Sequence, residues 1–579
     1  MRMARKDEFY PQWCEQEAPP RSFRSLIKYG DPRGFKHPNR GLFRLVKEAL
    51  GMSDEDFKNP KLSMEPFDVE VPLSLEEEHI EALRLIVGGE NFFTDSYTRT
   101  RASYGAATID ALRLRQKIIE NIPDVLLCPR GQEDLEKIVR YCHEHHIPLY
   151  VNGGGSSVTR GKEAVKAGVS IDMSTHLNKV VAFNEANQTV TVQAGIWGPE
   201  LERILNDAPE TLGAKKRYTC GHFPQSFDHS SVGGWVVTRG AGQNSTYYGK
   251  IEDMVIAQEY VTPIGVFKTP EYPRSATGPD FDQIMIGSEG TFGILLNVTL
   301  KMCRYTPENT RRFSYLFKNW EDALKAYRKI MQAEFGFPSI FRLSDPEETD
   351  VAMRTYHVHG TPADKLLRLL GYQPMERCLL LGTADGDSDF ACLVARKVKR
   401  ICKQYHAFTL TLFKVTQAWE KSRFTDPFMR EDLMDYGILI DTLECAVTWS
   451  QIAEVHEKVR SFIKRRPHTI CMTHLSHAYP QGANLYFIFV ARSEDINEYL
   501  GLQYGILEAV LKAGAAVSHH HGIGKQTAPW FEEQVGKPWT DVIRVLRDHF
   551  DPNQIMNPGG TLALDMTEEQ RKKRWGFRK

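Results

Sequence analysis

Three glycine-rich segments fall within one run of short, β-branched strands, and they restrict the fold of this 579-residue chain more than any other feature. The first, NGGGSSV (152–158), follows a strand-like run at 148–151. Glycine lets backbone approach a ligand closely and turn its N–H groups toward an anion. The hydroxyls of Ser156 and Ser157 add donors, and a pyrophosphate is the natural occupant. The second segment, 221–255, sets glycines and small polar residues between apolar positions. That composition suits an extended chain laid along a long polar ligand. The third, IGSEGTFGI (286–294), places small residues around one carboxylate, Glu289. One glycine loop is commonly only a turn, but three in one domain exceed what turns require. No GxGxxG opens a helix with an acidic residue beyond it, and no GK[ST] occurs, so neither a Rossmann nor a P-loop site is indicated.

The segments sit in an α+β stretch, 121–304. PDVLLCPRGQEDLEKIVRYC reads as strand then helix, with Leu135, Ile138, Val139 and Cys142 at the spacing of one helix face. Strands are expected at 169–173, 179–183 and 189–193, and a helix at 199–206. Residues 1–120 read as a helical preface, with amphipathic helices at 41–52 and 74–88. From 305 to 545, helices (322–334, 449–465) alternate with strands (378–383, 484–491). ADGDSD (384–389) lacks the Gly and Glu spacing of an EF-hand and reads as a turn. HEHH (143–146) ends a helix, where histidines suit the dipole. Residues 546–579 form a last segment with a basic tail.

Composition is that of a globular protein, with 41% hydrophobic and 25% charged residues. A formal net charge of −1 supplies no field for nucleic acid. Ten cysteines, none in a CxxC pair, suit buried thiols in a reducing compartment. No apolar run approaches the roughly 20 residues that span a bilayer. No secretory or peroxisomal signal is recognised, so a cytoplasmic location is expected. The tail RKKRWGFRK, with Trp575 and Phe577 among cations, reads as solvated, with scope for peripheral contact with anionic lipid.

VSHHHGIGK (517–525) places three imidazoles in succession. Three neighbours before Gly-Ile-Gly cannot all face a core, so at least one faces a polar site. A metal would need further ligands at defined positions, and none is evident in the sequence, so no metal is expected.

The order of PDVLLCPRGQEDLEKIVRYC, NGGGSSVTRG, DHSSVGGWVVTRGAG, IMIGSEGTFGIL and the closing DPNQIMNPGG resembles the vanillyl-alcohol oxidase family of FAD-linked oxidases. The resemblance implies an α+β fold: a two-subdomain FAD-binding domain, a ferredoxin-like α+β substrate cap and the helical N-terminal segment. It implies FAD as cofactor, with Asn152, Gly153, Gly154, Gly155, Ser156, Ser157, Asp228, Ser231, Gly234, Thr238, Arg274, Glu289, Gly290 and Gly293 in its site. The first loop has no histidine, so the FAD is expected to be non-covalent.

Within that family, SVGGWVVTRGAG, YPRSATGPD and SHHHGIGK resemble the branch of alkyldihydroxyacetonephosphate synthases. Those enzymes exchange the acyl group of acyl-dihydroxyacetone phosphate for a long-chain alcohol, through an adduct at flavin N5. The resemblance implies catalytic roles for Tyr486, His519, His520 and His521, and substrate binding by Arg430 and Arg342. It also implies a phosphorylated or carboxylated lipid-like substrate and a homodimer. RASYGAAT (101–108) departs from the pattern, with Tyr104 or Ala106 in the place of a histidine that the family carries. Two alternatives stay open: an FAD-dependent 2-hydroxy acid dehydrogenase or oxidase of D-lactate or glycolate type, and a non-catalytic flavin- or lipid-binding protein.

Overall fold

The computed structural model describes residues 15–28 and 30–560, with Met566, Glu569, Arg571 and Trp575. Two sheets share one core. In the smaller, Val125–Leu127, Val169–Asp172 and Leu149–Asn152 run parallel, with the short strand Phe92–Phe93 antiparallel at the edge. Helix Gln132–Glu144 crosses between two of these strands and buries Leu135, Ile138, Val139 and Cys142, the face its spacing marks. The second sheet is antiparallel, in the order Val180–Asn184, Thr189–Gln193, Ile294–Lys301, Val255–Thr262, Gly265–Lys268. The first glycine loop follows Leu149–Asn152, and the third precedes Ile294–Lys301.

A seven-stranded antiparallel sheet forms the second body, with Thr469–Ser476, Gly482–Arg492 and Ile438–Thr448 at one end. Helices Trp320–Met331, Ser388–Gln404 and Ile452–Lys464 bury their apolar stripes against one face. Strand side chains alternate between faces. Leu485, Phe487 and Phe489 therefore enter that core, while Tyr486 and Ile488 face a cavity on the other side. Asp387 caps Ser388–Gln404, so ADGDSD is a strand-to-helix turn. The expected helices at 41–52 and 74–88 are Arg40–Ala49 and Glu77–Val87.

Two expectations change. Segment 221–255 is not extended: it holds the short helices Val232–Val237, Ser245–Tyr248 and Ile251–Met254. The Ser231 hydroxyl caps the first, and Gly233 lies where a Cβ would come 2.7 Å from that of Ala194. At the tail, Trp575 is not solvated. It is 3% exposed, packs with Tyr504 and Trp530, and donates its indole N–H to the Gln526 carbonyl. Phe577 lies outside the described residues. Among those described, the nine cysteines are free thiols, and no helix is long and apolar enough to cross a membrane.

The N-terminal segment is tied to the second body by buried charge. Arg24 pairs with Asp432 and Asp435, Lys28 with Asp432, and Arg115 with Asp435. Removing one partner strands the others without water, which costs about 3–5 kcal/mol. Asp435→Ala is therefore expected to lower the denaturant midpoint and to expose the first 120 residues to limited proteolysis. Unchanged proteolysis would assign the clamp no structural weight.

Candidate active site

The first glycine loop lies directly on the segment 229–231. A Cβ at Gly153 would overlap the Ser231 hydroxyl, and one at Gly154 would sit 2.5 Å from the His229 carbonyl oxygen. Only glycine permits that approach. The third glycine segment closes the cradle, where Glu289, Gly290 and Gly293 line one cavity with Asn152, Gly155, Ser156, Ser157, Ser231, Gly234 and Thr238. Lys162 lines it too, donating to the Arg101 carbonyl and to Asn152 Oδ1, with its ammonium lowered by burial to about 8. Glycine backbone, serine hydroxyls and one buried amine fit a pyrophosphate linker, as FAD requires.

The cavity, about 410 Å³, continues to the open face of the seven-stranded sheet. There it meets His474, Tyr486, His520 and His521, with Arg342 on strand Phe341–Ser344 and Arg430 on helix Asp426–Leu433. The histidine run is held through its backbone. Glu444, on strand Ile438–Thr448, accepts the N–H groups of His519, His520 and His521 at 2.7–3.0 Å and the Ser518 hydroxyl at 2.9 Å. Glu289 takes the other end of the loop, accepting the N–H groups of Ile523 and Gly524 at 2.6 and 2.8 Å. Lys525 then reaches the Gly161 carbonyl and Asn557.

Burial dominates the chemistry of this end. It lowers His519 and His520 well below the ordinary imidazole value and lowers His521 against the pull of Glu444 and Asp441. The three rings are neutral bases, not ready proton donors. Tyr486 is pushed up to about 12 by burial and keeps its proton. Its hydroxyl lies 3.1 Å from Thr442 Oγ1, and its ring stacks on His474 at 4.9 Å between centroids.

Several expected residues stand elsewhere. Arg274 lies in the fully exposed stretch 271–280 and does not line the cavity. Asp228 is exposed on the short helix Phe227–His229, which turns its carboxylate to solvent while Ser231 faces the cavity. His519 sits behind the lining, its Nε2 at 2.7 Å from the Tyr479 hydroxyl. Glu289 spends its carboxylate on the histidine loop. Arg342 lines the cavity with its guanidinium paired to Glu348. Arg430 donates one N–H to the Ala106 carbonyl at 2.7 Å, while its buried Nε has no partner among the described residues.

Sequence reasoning missed Lys162, Glu348, Glu444, His474 and His477. Glu444 had a signal, one of two acids, with Asp441, in the strand-like run ILIDTLECAVT. It also brings a carboxylate beside the ring nitrogens of His519 and His520, a three-ligand cluster that no sequence spacing announced.

Gly154→Val is expected to yield protein that purifies without flavin colour but keeps its circular dichroism; a yellow variant would separate this loop from the cofactor. Acid sensitivity follows from the histidines. The unfolded chain protonates them below the ordinary value of about 6.5 while the fold refuses the proton, so they lose stability as pH falls. Glu202 and Glu431, pushed up to about 7 by burial, act in the opposite sense over the same window. His477, lowered by burial to about 3, isolates the effect. Between pH 6 and 5, His477→Gln should flatten the fall in unfolding free energy by up to about 1.4 kcal/mol per pH unit.

Comparison with known proteins agrees with this geometry. The family model for the FAD binding domain matches residues 123–269, and that for the C-terminal domain of FAD linked oxidases matches residues 306–561. Alkyldihydroxyacetonephosphate synthase of Dictyostelium discoideum is 29% identical over 542 residues, 90% of this chain and 86% of the relative. A glycolate oxidase subunit of Bacillus subtilis (strain 168) is 24% identical over 491 residues, 84% of this chain and 97% of the relative. A solved structure of alkyldihydroxyacetonephosphate synthase aligns with a TM-score of 0.77 at 25% identity, covering 93% of this chain and 99% of that one. A glycine cradle shaped for FAD, on a fold that both domain models match, makes this chain an FAD-dependent enzyme of the FAD-linked oxidase family, of the alkyldihydroxyacetonephosphate synthase-like kind.

Proposed function

We propose that the enzyme exchanges the acyl group of an acyl-dihydroxyacetone phosphate for a long-chain alcohol. One observation carries this reading: a single cavity joins the FAD cradle to walls of Ile340, Phe341, Trp419, Phe424, Phe428 and Ile488, with Arg430 among them. An amphiphile with an anionic head fits such a space better than a two- or three-carbon acid. Arg430 is the arginine to meet a phosphate oxygen, since its carboxylate contact, 3.8 Å to Glu431, is loose while Arg342 is closely paired with Glu348. Bound FAD supplies an electron-pair donor and acceptor beside the substrate carbon. Tyr486, protonated at neutral pH, holds a proton within the cavity. The apolar walls keep water from the reacting carbon. A lipid substrate of this kind also fits cytoplasmic residence with peripheral membrane contact.

A second reading, oxidation of a 2-hydroxy acid, draws on the glycolate oxidase relative. Arg430 would then hold a carboxylate. Anaerobic absorbance of the holoenzyme separates the two. Bleaching by acyl-dihydroxyacetone phosphate, reversed by hexadecanol with release of an ether product, is the expected result. Bleaching by D-lactate or glycolate with an oxidised product would replace it with the second reading. Arg430→Met should raise the KM for the phosphorylated substrate at least tenfold, the loss of a charged hydrogen bond worth about 1.5–3 kcal/mol. Arg430→Lys should recover part of it.

A further inference from the structure

We propose that His474 is the general base that takes the proton of the substrate hydroxyl, and that Glu348 is the residue positioning it. The inference rests on the reading above that the cavity receives an alcohol, a need that ether formation and hydroxy-acid oxidation share.

His474 lies on strand Thr469–Ser476 and lines the cavity, with its ring parallel to that of Tyr486. Its Nδ1 is 3.2 Å from Glu348 Oε1, on helix Pro346–Thr355, an ion-pair approach whose angle falls short of a hydrogen bond. Nε2 has no protein partner among the described residues. A carboxylate on one ring nitrogen fixes the tautomer that leaves a lone pair on the other. Glu348 is itself anchored. Burial alone would raise its pKa, but Arg342 and His474 hold it at about 2, so it stays a carboxylate.

Three of the other imidazoles are engaged, and the fourth, His521, comes no nearer a carboxylate than 3.9 Å, to Glu444 Oε1. His519 meets the Tyr479 hydroxyl, and His520 Nδ1 lies 3.1 Å from His519 Nδ1. His477 Nδ1 pairs with Ser245. Glu444, their nearest carboxylate, already accepts three backbone N–H groups and a hydroxyl, so little of it remains to orient a ring. Glu348 Oε2 accepts nothing.

The groups acting on His474 are Arg342 and Asp345 from the adjoining strand and turn and Glu348 from the helix above. Burial and Arg342 lower the imidazole and the two carboxylates oppose them, so the ring is neutral before reaction. In the step, the hydroxyl O–H bond breaks, its electron pair stays on oxygen, and the proton forms an N–H bond at Nε2. Glu348 pairs with the imidazolium, which returns the proton to water after product leaves.

Two measurements on the holoenzyme test this. Selective histidine ¹⁵N NMR should show the Nδ1–H tautomer at His474. Glu348 Oε1 faces both Arg342 and Nδ1, so Glu348→Gln can keep a carbonyl there, whereas Glu348→Leu removes the acceptor and should shift the ring toward the Nε2–H tautomer. A wild-type Nε2–H tautomer would falsify the dyad. In single turnovers with acyl-dihydroxyacetone phosphate and hexadecanol, or with D-lactate, His474→Gln should slow the proton-dependent step by about a hundredfold or more with flavin content and KM unchanged. Glu348→Gln should move the pH profile of that step. A wild-type rate in His474→Gln overturns the base assignment. A wild type inert to both probes sinks the substrate reading alone, and the tautomer then still decides the dyad.

Discussion

A buried carboxylate that accepts three consecutive backbone N–H groups organises this site. Glu444 is 2% exposed, and in that setting an unpaired charge would be prohibitive. The loop 518–521 supplies the missing donors and thereby fixes the path of its own backbone. Three successive side chains cannot share one direction, so fixing the backbone also sorts the histidines. His520 and His521 reach the cavity, while His519 is turned back toward Tyr479. Glu289 performs the same service four residues on, from the other body of the protein. One short loop is therefore held from both sides of the cavity that it helps to close.

The electrostatics of the cavity follow from burial more than from formal charge. Imidazoles that titrate near neutrality in water are held neutral, and a phenol is held protonated. Permanent charge enters as balanced pairs, Arg342 with Glu348 and Arg24 with Asp435. Arg430 on the lining is more loosely paired, 3.8 Å from Glu431, with its Nε making no hydrogen bond among the described residues. A site so arranged can admit one anionic group without first displacing another, and its reactive groups start from their uncharged forms.

Much of this architecture was legible from local pattern. The i, i+3, i+4, i+7 face of Gln132–Glu144 and the alternation of Gly482–Arg492 announced themselves because each depends on residues close in sequence. The glycine loops were legible for the same reason. The partners of those elements were not. Glu444 meets a loop 75 residues later, and Glu348 meets a histidine on a strand that is its neighbour only in the folded sheet. Glu289 shows the other limit. A motif marked it as a cofactor contact, yet its carboxylate serves the histidine loop. Arg274 and Asp228 sit inside resembling motifs with side chains turned to solvent. A motif fixes a backbone path, and side-chain direction within it is decided by packing the motif does not contain.

The clamp between Arg24, Lys28 and the helix Asp426–Leu433 has a consequence for how the molecule comes into being. Its partners are separated by about four hundred residues, so a segment made earlier waits for one made much later. Contacts of such long range form late and slowly. Until then two cations destined for the interior stay hydrated. The helix bearing Arg430 and its neighbour Phe428, which the backbone of Gly34 touches, has no lid. Support of the substrate chamber is thus coupled to docking of the N-terminal segment: with both large bodies folded, the helix that carries Phe428 and Arg430 still lacks its backing until that segment returns to it.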